Sequence, residues 1–164
     1  MAKDIVVIAH NIRSAFNVGS IFRVCDASGV RKLYLTGYTP FPKIDNDKRL
    51  NFEIEKTENK IKKAGLEGFN NLPFEHVENI ITLIKELKEK KIKIVGLEQH
   101  QNSVNIFDYK VTEKTAIIIG NEVTGVETQI LNICDGLIEI PMYGKGKSLN
   151  AAVSLAVGLY TITH

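Results

Sequence analysis

Five short runs rich in isoleucine and valine recur along this chain, bounded by glycine, proline or asparagine and separated in most cases by stretches of helical periodicity. They read DIVVIA from Asp4, KLYLTG from Lys32, IKIVGL from Ile92, TAIIIG from Thr115 and GLIEIP from Gly136. Parallel neighbours in a sheet need a long crossover, and a helix usually supplies it. The alternation therefore predicts an α/β fold with a mostly parallel sheet flanked by helices. At 164 residues and 44% hydrophobic content, one domain over residues 1–164 is expected.

The intervening segments carry helical signals of differing clarity. The first spans about Val18 to Ser28, with Ile21, Phe22 and Cys25 on one face and Gly29 as its stop. The clearest is VENIITLIKELKEKK, where Val77, Ile80, Ile81, Ile84 and Leu87 recur at helical spacing and the charged residues form a solvated face. The last, LNAAVSLAVGLYTIT from Leu149, is apolar nearly all round and is expected to be buried, against the rest of the chain or a second copy. From Tyr38 to Leu72 no element is assigned; prolines give way there to a polar stretch holding Lys48, Arg49, Lys56, Lys60, Lys62 and Lys63. A loop that long is functional or mobile.

Composition excludes several classes of protein. Lys plus Arg is 21 against 19 for Asp plus Glu, a net charge of +2, so a nucleic-acid partner requires positive charge concentrated locally. No apolar run reaches the roughly 18 to 20 residues of a membrane span, and the opening residues turn polar too soon for a leader. Cys25 and Cys134 lie far apart in apolar segments. They are read as two free thiols in a reducing, cytoplasmic setting, since a disulfide or metal site would need partners the sequence does not show.

Three segments concentrate Asn, Arg, Glu, Ser and Gly at strand ends or helix starts, where open α/β sheets bind ligands. In NIRSAFNVGSIFRVCDASG, after the first strand, Asn11, Arg13, Asn17 and Gly19 are so placed. Arg23 lies off the apolar face of the helix that follows, either as a functional cation or as a surface partner of Asp26. In IIIGNEVTGV, Gly120, Asn121 and Glu122 emerge at a strand's carboxyl edge, as a ligand site or simply as a turn. In IEIPMYGKGKSLNAA, Ser148 is a candidate cap of the last helix and Asn150 falls in its first turn.

The letters GKS in YGKGKSLN invite comparison with a phosphate-binding P-loop, G-x-x-x-x-G-K-[ST]. Counting back from Gly146, the first glycine of that pattern would be Pro141, which has no backbone N–H to give a phosphate. A P-loop also follows the first strand of its domain, whereas this loop is near the chain's end.

Taken together, the three segments resemble the signature motifs of the SpoU (TrmH-like) branch of the SPOUT RNA methyltransferases. The pattern N-x-R-x-x-x-N-x-G-x-x-x-R is met by Asn11, Arg13, Asn17, Gly19 and Arg23. G-N-E-x-x-G is met by Gly120, Asn121, Glu122 and Gly125. I-P-M-x-G…S-L-N is met by Ile140, Pro141, Met142, Gly144, Ser148, Leu149 and Asn150. All three occur in order and reach across nearly the whole chain. One departure is SLNAAVSLA, where that family usually continues S-L-N-V, a change that only trims a packed side chain.

The resemblance implies a C-terminal trefoil knot and a homodimer with the active site at the subunit interface. It implies S-adenosylmethionine as the methyl donor, no metal, and a ribose 2′-hydroxyl of tRNA, more than of rRNA, as acceptor. Leu97, Gly120, Asn121, Ile140, Met142, Ser148 and Leu149 would then hold the cofactor, the glycines of YGKGKSLN shaping a tight loop around it. Arg23 would be catalytic, with Asn17, Ser148 and Asn150 assisting and Glu122 supporting the turn of the second motif. A guanidinium keeps its proton near neutral pH, so Arg23 is expected to hold a backbone phosphate and stabilise the developing alkoxide. Arg13, Asn11, Lys48 and Arg49 are the expected RNA contacts. By this resemblance the chain is expected to be close to a minimal catalytic unit of that family. A silent RNA-binding or ribosome-assembly module of the same fold is the competing reading.

Overall fold

The structure, a computed structural model, describes residues 4–163; expectations that reach to the first three residues and to His164 lie outside the described residues. The five expected strands are present as β1 (Ile5–His10), β2 (Lys32–Thr36), β4 (Lys93–Leu97), β6 (Thr115–Ile119) and β7 (Gly136–Glu139). Two further strands, β3 (Phe74–Val77) and β5 (Val104–Asn105), sit at the sheet's edges. All seven are parallel, in the order β3-β2-β1-β6-β4-β7-β5. Alternate residues of the central strands face opposite layers. Val7, Ala9, Val95 and Ile117 join the core under one set of helices, while Val6, Ile8, Ile94 and Ile118 join the other.

The first layer holds α1 (Ala15–Ala27), α2 (Asn51–Gly65), the short α3 (Gly68–Asn71) and α6 (Ala151–Thr163). The second holds α4 (Ile80–Glu89) and the one-turn α5 (Thr128–Leu131). Helix α1 begins three residues before the expected point because the Ser14 side chain caps it, accepting from the Asn17 amide at 3.3 Å. It stops as expected. Gly29, at φ +73°, lets its own N–H reach the Asp26 carbonyl and that of Val30 reach the Cys25 carbonyl.

Several expectations are corrected. Val77 ends β3 and does not start a helix, because Asn79 caps α4 by accepting from the Ile81 and Thr82 amides. The buried face of α4 contains Leu83, while Ile81 is exposed. The unassigned stretch from Tyr38 to Leu72 contains α2 and α3. Helix α2 buries only Ile54, Ile61 and Gly65, too thin a seam to register as periodicity. Helix α6 starts at Ala151 and buries Ala152, Leu155, Leu159 and Ile162, leaving Val153 and Tyr160 about half exposed.

Gly19 shows why a helix interior tolerates glycine here. A Cβ on it would lie 2.3 Å from the Ile61 carbonyl oxygen and 2.7 Å from the Ala64 Cβ, so α2 can press against α1 only because that atom is absent. Its place in the first motif is therefore explained by helix packing, whereas ligand approach was expected. Cys25 is buried and Cys134 half-buried, and both are free. No helix is long and apolar enough to cross a membrane among the described residues.

Candidate active site

The sheet order reverses direction between β1 and β6, and ligands of open α/β sheets bind at such a point beyond the strands' carboxyl ends. The three motif segments follow β1, β6 and β7, so the topology gathers them at one edge. Glu122 is the centre of this gathering. Its Oε2 accepts from the Arg13 backbone N–H at 2.8 Å, and its Oε1 from the Ser14 N–H at 3.1 Å and from Asn17 Nδ2 at 2.8 Å. Asn17 Oδ1 in turn accepts from Asn150 Nδ2 at 3.0 Å.

A carboxylate can only accept, so Glu122 dictates which way both amides point. Asn17 must present Nδ2 to it, which leaves Oδ1 for Asn150. Asn150 must then offer Nδ2, and its own Oδ1 is left to accept from the Ala152 and Val153 amides at 2.9 and 3.3 Å. Asn150, and not Ser148, thus caps α6. Burial works to raise the pKa of the Glu122 carboxyl, but the hydrogen bonds from Arg13, Asn17 and Ser14 outweigh it and hold the group below the ordinary carboxylate range.

The turn of the second motif is held by other groups. Asn121 Oδ1 accepts from the Val123 and Thr124 amides, and its Nδ2 donates to the Asn11 carbonyl at 3.0 Å and the Tyr38 hydroxyl at 2.8 Å. Gly120 is required because a Cβ there would lie 2.4 Å from the Gly125 carbonyl carbon. Glu122 therefore supports the first motif's turn across the site, where a role in its own turn was expected.

Beside this network opens a cleft lined by Leu97, Gly120, Asn121, Ile140, Met142 and Leu149, with Glu98, Glu122 and Ser148 at its polar margin. All seven residues expected to hold the cofactor line it. Leu97, Ile140, Met142 and Leu149 give apolar walls. Among the described residues, the backbone N–H groups of Met142, Ser148 and Leu149, which line the cleft, donate to nothing in the chain itself and are left for a ligand. A Cβ on Gly144 or Gly146 would meet nothing within 4 Å, so the chain's own packing demands neither glycine. Apolar walls, unused backbone donors and a few carboxylate and hydroxyl groups fit an amphiphilic nucleoside such as S-adenosylmethionine.

Glu98 and Gln99 were missed. Glu98 Oε2 accepts from the Val126 amide at 2.9 Å, and Gln99 Nε2 donates to the Lys147 carbonyl at 2.9 Å, tying the loop after β4 to the loop before α6. Their position directly after a central strand was the available signal. His10 was missed too. Its Nδ1 is 2.8 Å from Thr36 Oγ1 and its Nε2 3.1 Å from Glu127 Oε2, and burial lowers its pKa despite the carboxylate.

Other expected residues lie elsewhere. Arg23 is exposed, forms no ion pair with Asp26 among the described residues, and lines none of the clefts described here. It stands about 9 Å along α1 from Asn17 and about 120° around it, so one chain does not bring the two together. Arg49 directs four of its five N–H groups inward, to Asp47 and to the Phe41 and Pro42 carbonyls, and stacks on the Phe41 ring at 3.6 Å. This geometry gives it a loop-clamping role. Lys48 is exposed. Asn11, at φ +54°, turns its side chain inward to Glu127 and the Tyr38 amide. Of the four expected RNA contacts, Arg13 lies nearest the network, with its side chain exposed.

An open parallel sheet with an apolar-walled cleft and a polar relay at its switch point defines an α/β protein suited to a nucleotide-type ligand. The chain belongs to the SpoU rRNA Methylase family, whose model matches residues 4–160. It is 33% identical over 159 residues to the tRNA (guanosine(18)-2′-O)-methyltransferase of Aquifex aeolicus, covering 96% of this chain and 68% of that protein. It also resembles the crystal structure of the A. aeolicus TrmH/SpoU tRNA modifying enzyme, at TM-score 0.79 and 30% identity over 98% of this chain and 74% of that one. The SpoU methyltransferase AviRb from Streptomyces viridochromogenes, in complex with AdoMet, matches at TM-score 0.78 and 26% identity, over 99% of this chain and 57% of that one.

Proposed function

We propose that this chain is an S-adenosylmethionine-dependent RNA methyltransferase acting on a ribose 2′-hydroxyl, with tRNA as the leading substrate class over rRNA. The observation that carries the reading is the Glu122–Asn17–Asn150 relay beside a cleft with apolar walls and unused backbone donors. Bound S-adenosylmethionine would supply a methyl group on an already activated sulfonium, so the chain has only to align the acceptor and ease removal of its proton.

Leu97, Gly120, Asn121, Ile140, Met142, Ser148 and Leu149 would hold the cofactor. Asn17 and Asn150 are held in orientation through Glu122, which lines the cleft, and Ser148 is an exposed hydroxyl in the same lining. Arg23 would hold a backbone phosphate and stabilise charge developing on the acceptor oxygen. Arg13 would anchor RNA.

Because Arg23 and Asn17 are apart within one chain, the same reading has a homodimer complete the site. Val153 and Tyr160 on α6, next to α1, supply an apolar face for it. It also includes a single domain, a cytoplasmic location, and a C-terminal segment threaded as a knot, consistent with the tie between Gln99 and Lys147.

Calorimetry with S-adenosylhomocysteine and with ATP tests the cofactor: the first should bind and the second should not. Binding of ATP alone would overturn the reading, and binding of neither would leave a silent RNA module. Mixing Arg23→Ala with Asn150→Ala tests the shared site. Random exchange should restore about a quarter of wild-type methyl transfer if each site draws on two chains, and none if it lies within one.

A further inference from the structure

The chain's net charge is only +2, yet one groove collects four cations. It runs between the N-terminal turn of α1 and one face of α2, and encloses about 690 Å³. Arg13 lines one wall, and Lys56, Lys60 and Lys63 line the other. The three lysines follow one another at helical spacing, about 6 and 4.5 Å apart along the axis. No ion pair engages any of the four among the described residues. Lys62, outside the groove, is by contrast paired with Glu58 at 2.6 Å. Glu53 is the single acid in the lining.

Two phenylalanines share this groove, Phe16 at 58% and Phe52 at 64% exposure. A solvated helix face explains lysines but not aromatic rings held open to water beside them. Cations tracking a backbone with aromatic faces interleaved is the pattern that binds single-stranded nucleic acid, whose bases are free to stack. A duplex keeps its bases stacked on one another and offers the rings nothing. The wall facing α2 is the turn from Arg13 to Phe16, whose backbone Glu122 holds, and Asn17 follows directly.

We propose that this groove is a track for single-stranded RNA, in which Arg13, Lys56, Lys60 and Lys63 bind successive phosphates and Phe16 and Phe52 stack on bases, delivering the strand to the Asn17–Asn150 site. The inference rests on the methyltransferase reading for its direction and names the surface that reading lacks. It assigns the polar stretch after Tyr38 a function through Lys56, Lys60 and Lys63, not through Lys48 and Arg49. Gly19 acquires a second consequence, since its missing Cβ is what lets α2 bring those lysines beside Arg13.

The test is fluorescence anisotropy of the full chain with labelled oligouridine, without cofactor, over a range of salt. The triple variant Lys56→Ala, Lys60→Ala, Lys63→Ala should lower the slope of log affinity against log salt by about 2, at roughly 0.7 per phosphate on a single strand. Phe52→Leu should weaken binding about tenfold with the slope unchanged. An unchanged slope in the triple variant overturns the proposal, as does duplex RNA binding as tightly as oligouridine. A change confined to oligomeric state in light scattering would assign the groove to a second copy instead, and also overturns it. Calorimetry with S-adenosylhomocysteine on the same proteins separates the two readings. The lysine variants should bind it as wild type does; if wild type fails to bind it while the salt slope still falls, the groove stands and the methyltransferase reading does not.

Discussion

Asn17 and Asn150 lie 133 residues apart in sequence and meet side chain to side chain at 3.0 Å. Neither could hold that geometry alone, because an exposed amide rotates freely. Glu122, hydrogen-bonded to Asn17, fixes one amide, and capping of α6 fixes the other. The three signature segments are thereby joined into one rigid arrangement, the kind of positioning on which transfer between aligned groups depends.

Asn150 does two jobs that one substitution separates. Asn150→Asp keeps the oxygen that caps α6, so thermal stability should stay near wild type, but it removes the donor to Asn17. Methyl transfer should fall at least tenfold. Asn150→Ala loses the cap as well, and denaturant melts should show about 1 kcal/mol less stability. Equal activity in Asn150→Asp and wild type would remove the relay from the mechanism.

Glu122 has a pH signature with a definite sign. Its folded pKa lies below the unfolded value, so its stabilisation is complete above about pH 4.3 and is lost as pH falls through the lower folded value. Melting temperatures followed into acid should converge for wild type and Glu122→Gln. At neutral pH the variant should be about 1–2 kcal/mol less stable, since an amide cannot accept at both positions where the Arg13 and Ser14 backbones donate.

Glycines of the two motifs should respond in opposite ways. Gly19→Ala forces a Cβ into the Ile61 carbonyl and should destabilise the protein by about 1–3 kcal/mol, as overpacking does. Gly144→Ala and Gly146→Ala meet no neighbour and should leave the melting temperature unchanged. Any weakening of S-adenosylhomocysteine binding in the latter pair would then report the ligand's approach to that loop.

Arg49 separates clamping from RNA contact. Its guanidinium holds the Asp47 carboxyl well below the usual range and bridges the Phe41 and Pro42 carbonyls. Arg49→Ala should speed hydrogen exchange in the loop from Phe41 to Arg49 and leave the salt slope of RNA binding as it was. A reduced slope would return Arg49 to the RNA surface.

Much of the fold was legible because it is written in short-range pattern. Strands such as Val6 to Ile8 and Ile117 to Ile119, buried on both faces, read as continuous β-branched runs. The stop of α1 at Gly29 follows from one residue's access to positive φ. Strand β3 was hidden because Phe74 to Val77 is only partly buried at an edge and runs straight into the pattern of α4. Helix α2 was hidden because most of its residues face water.

The sequence by itself determined the alternating α/β architecture and which residue types stand at the ends of β1, β6 and β7, since these depend on local propensity and spacing. Only the tertiary structure decided what those residues do to one another. That Glu122 holds the turn at Arg13, that Asn150 meets Asn17, and that Gly19 admits α2 are contacts between segments roughly 40 to 130 residues apart. A hydrogen bond depends on atoms arriving within about 3 Å, and no periodicity along the chain encodes where distant segments arrive. The burial of Val7, Ile8 and their neighbours drives the sheet together, and the sheet's order then brings the three motifs to one edge.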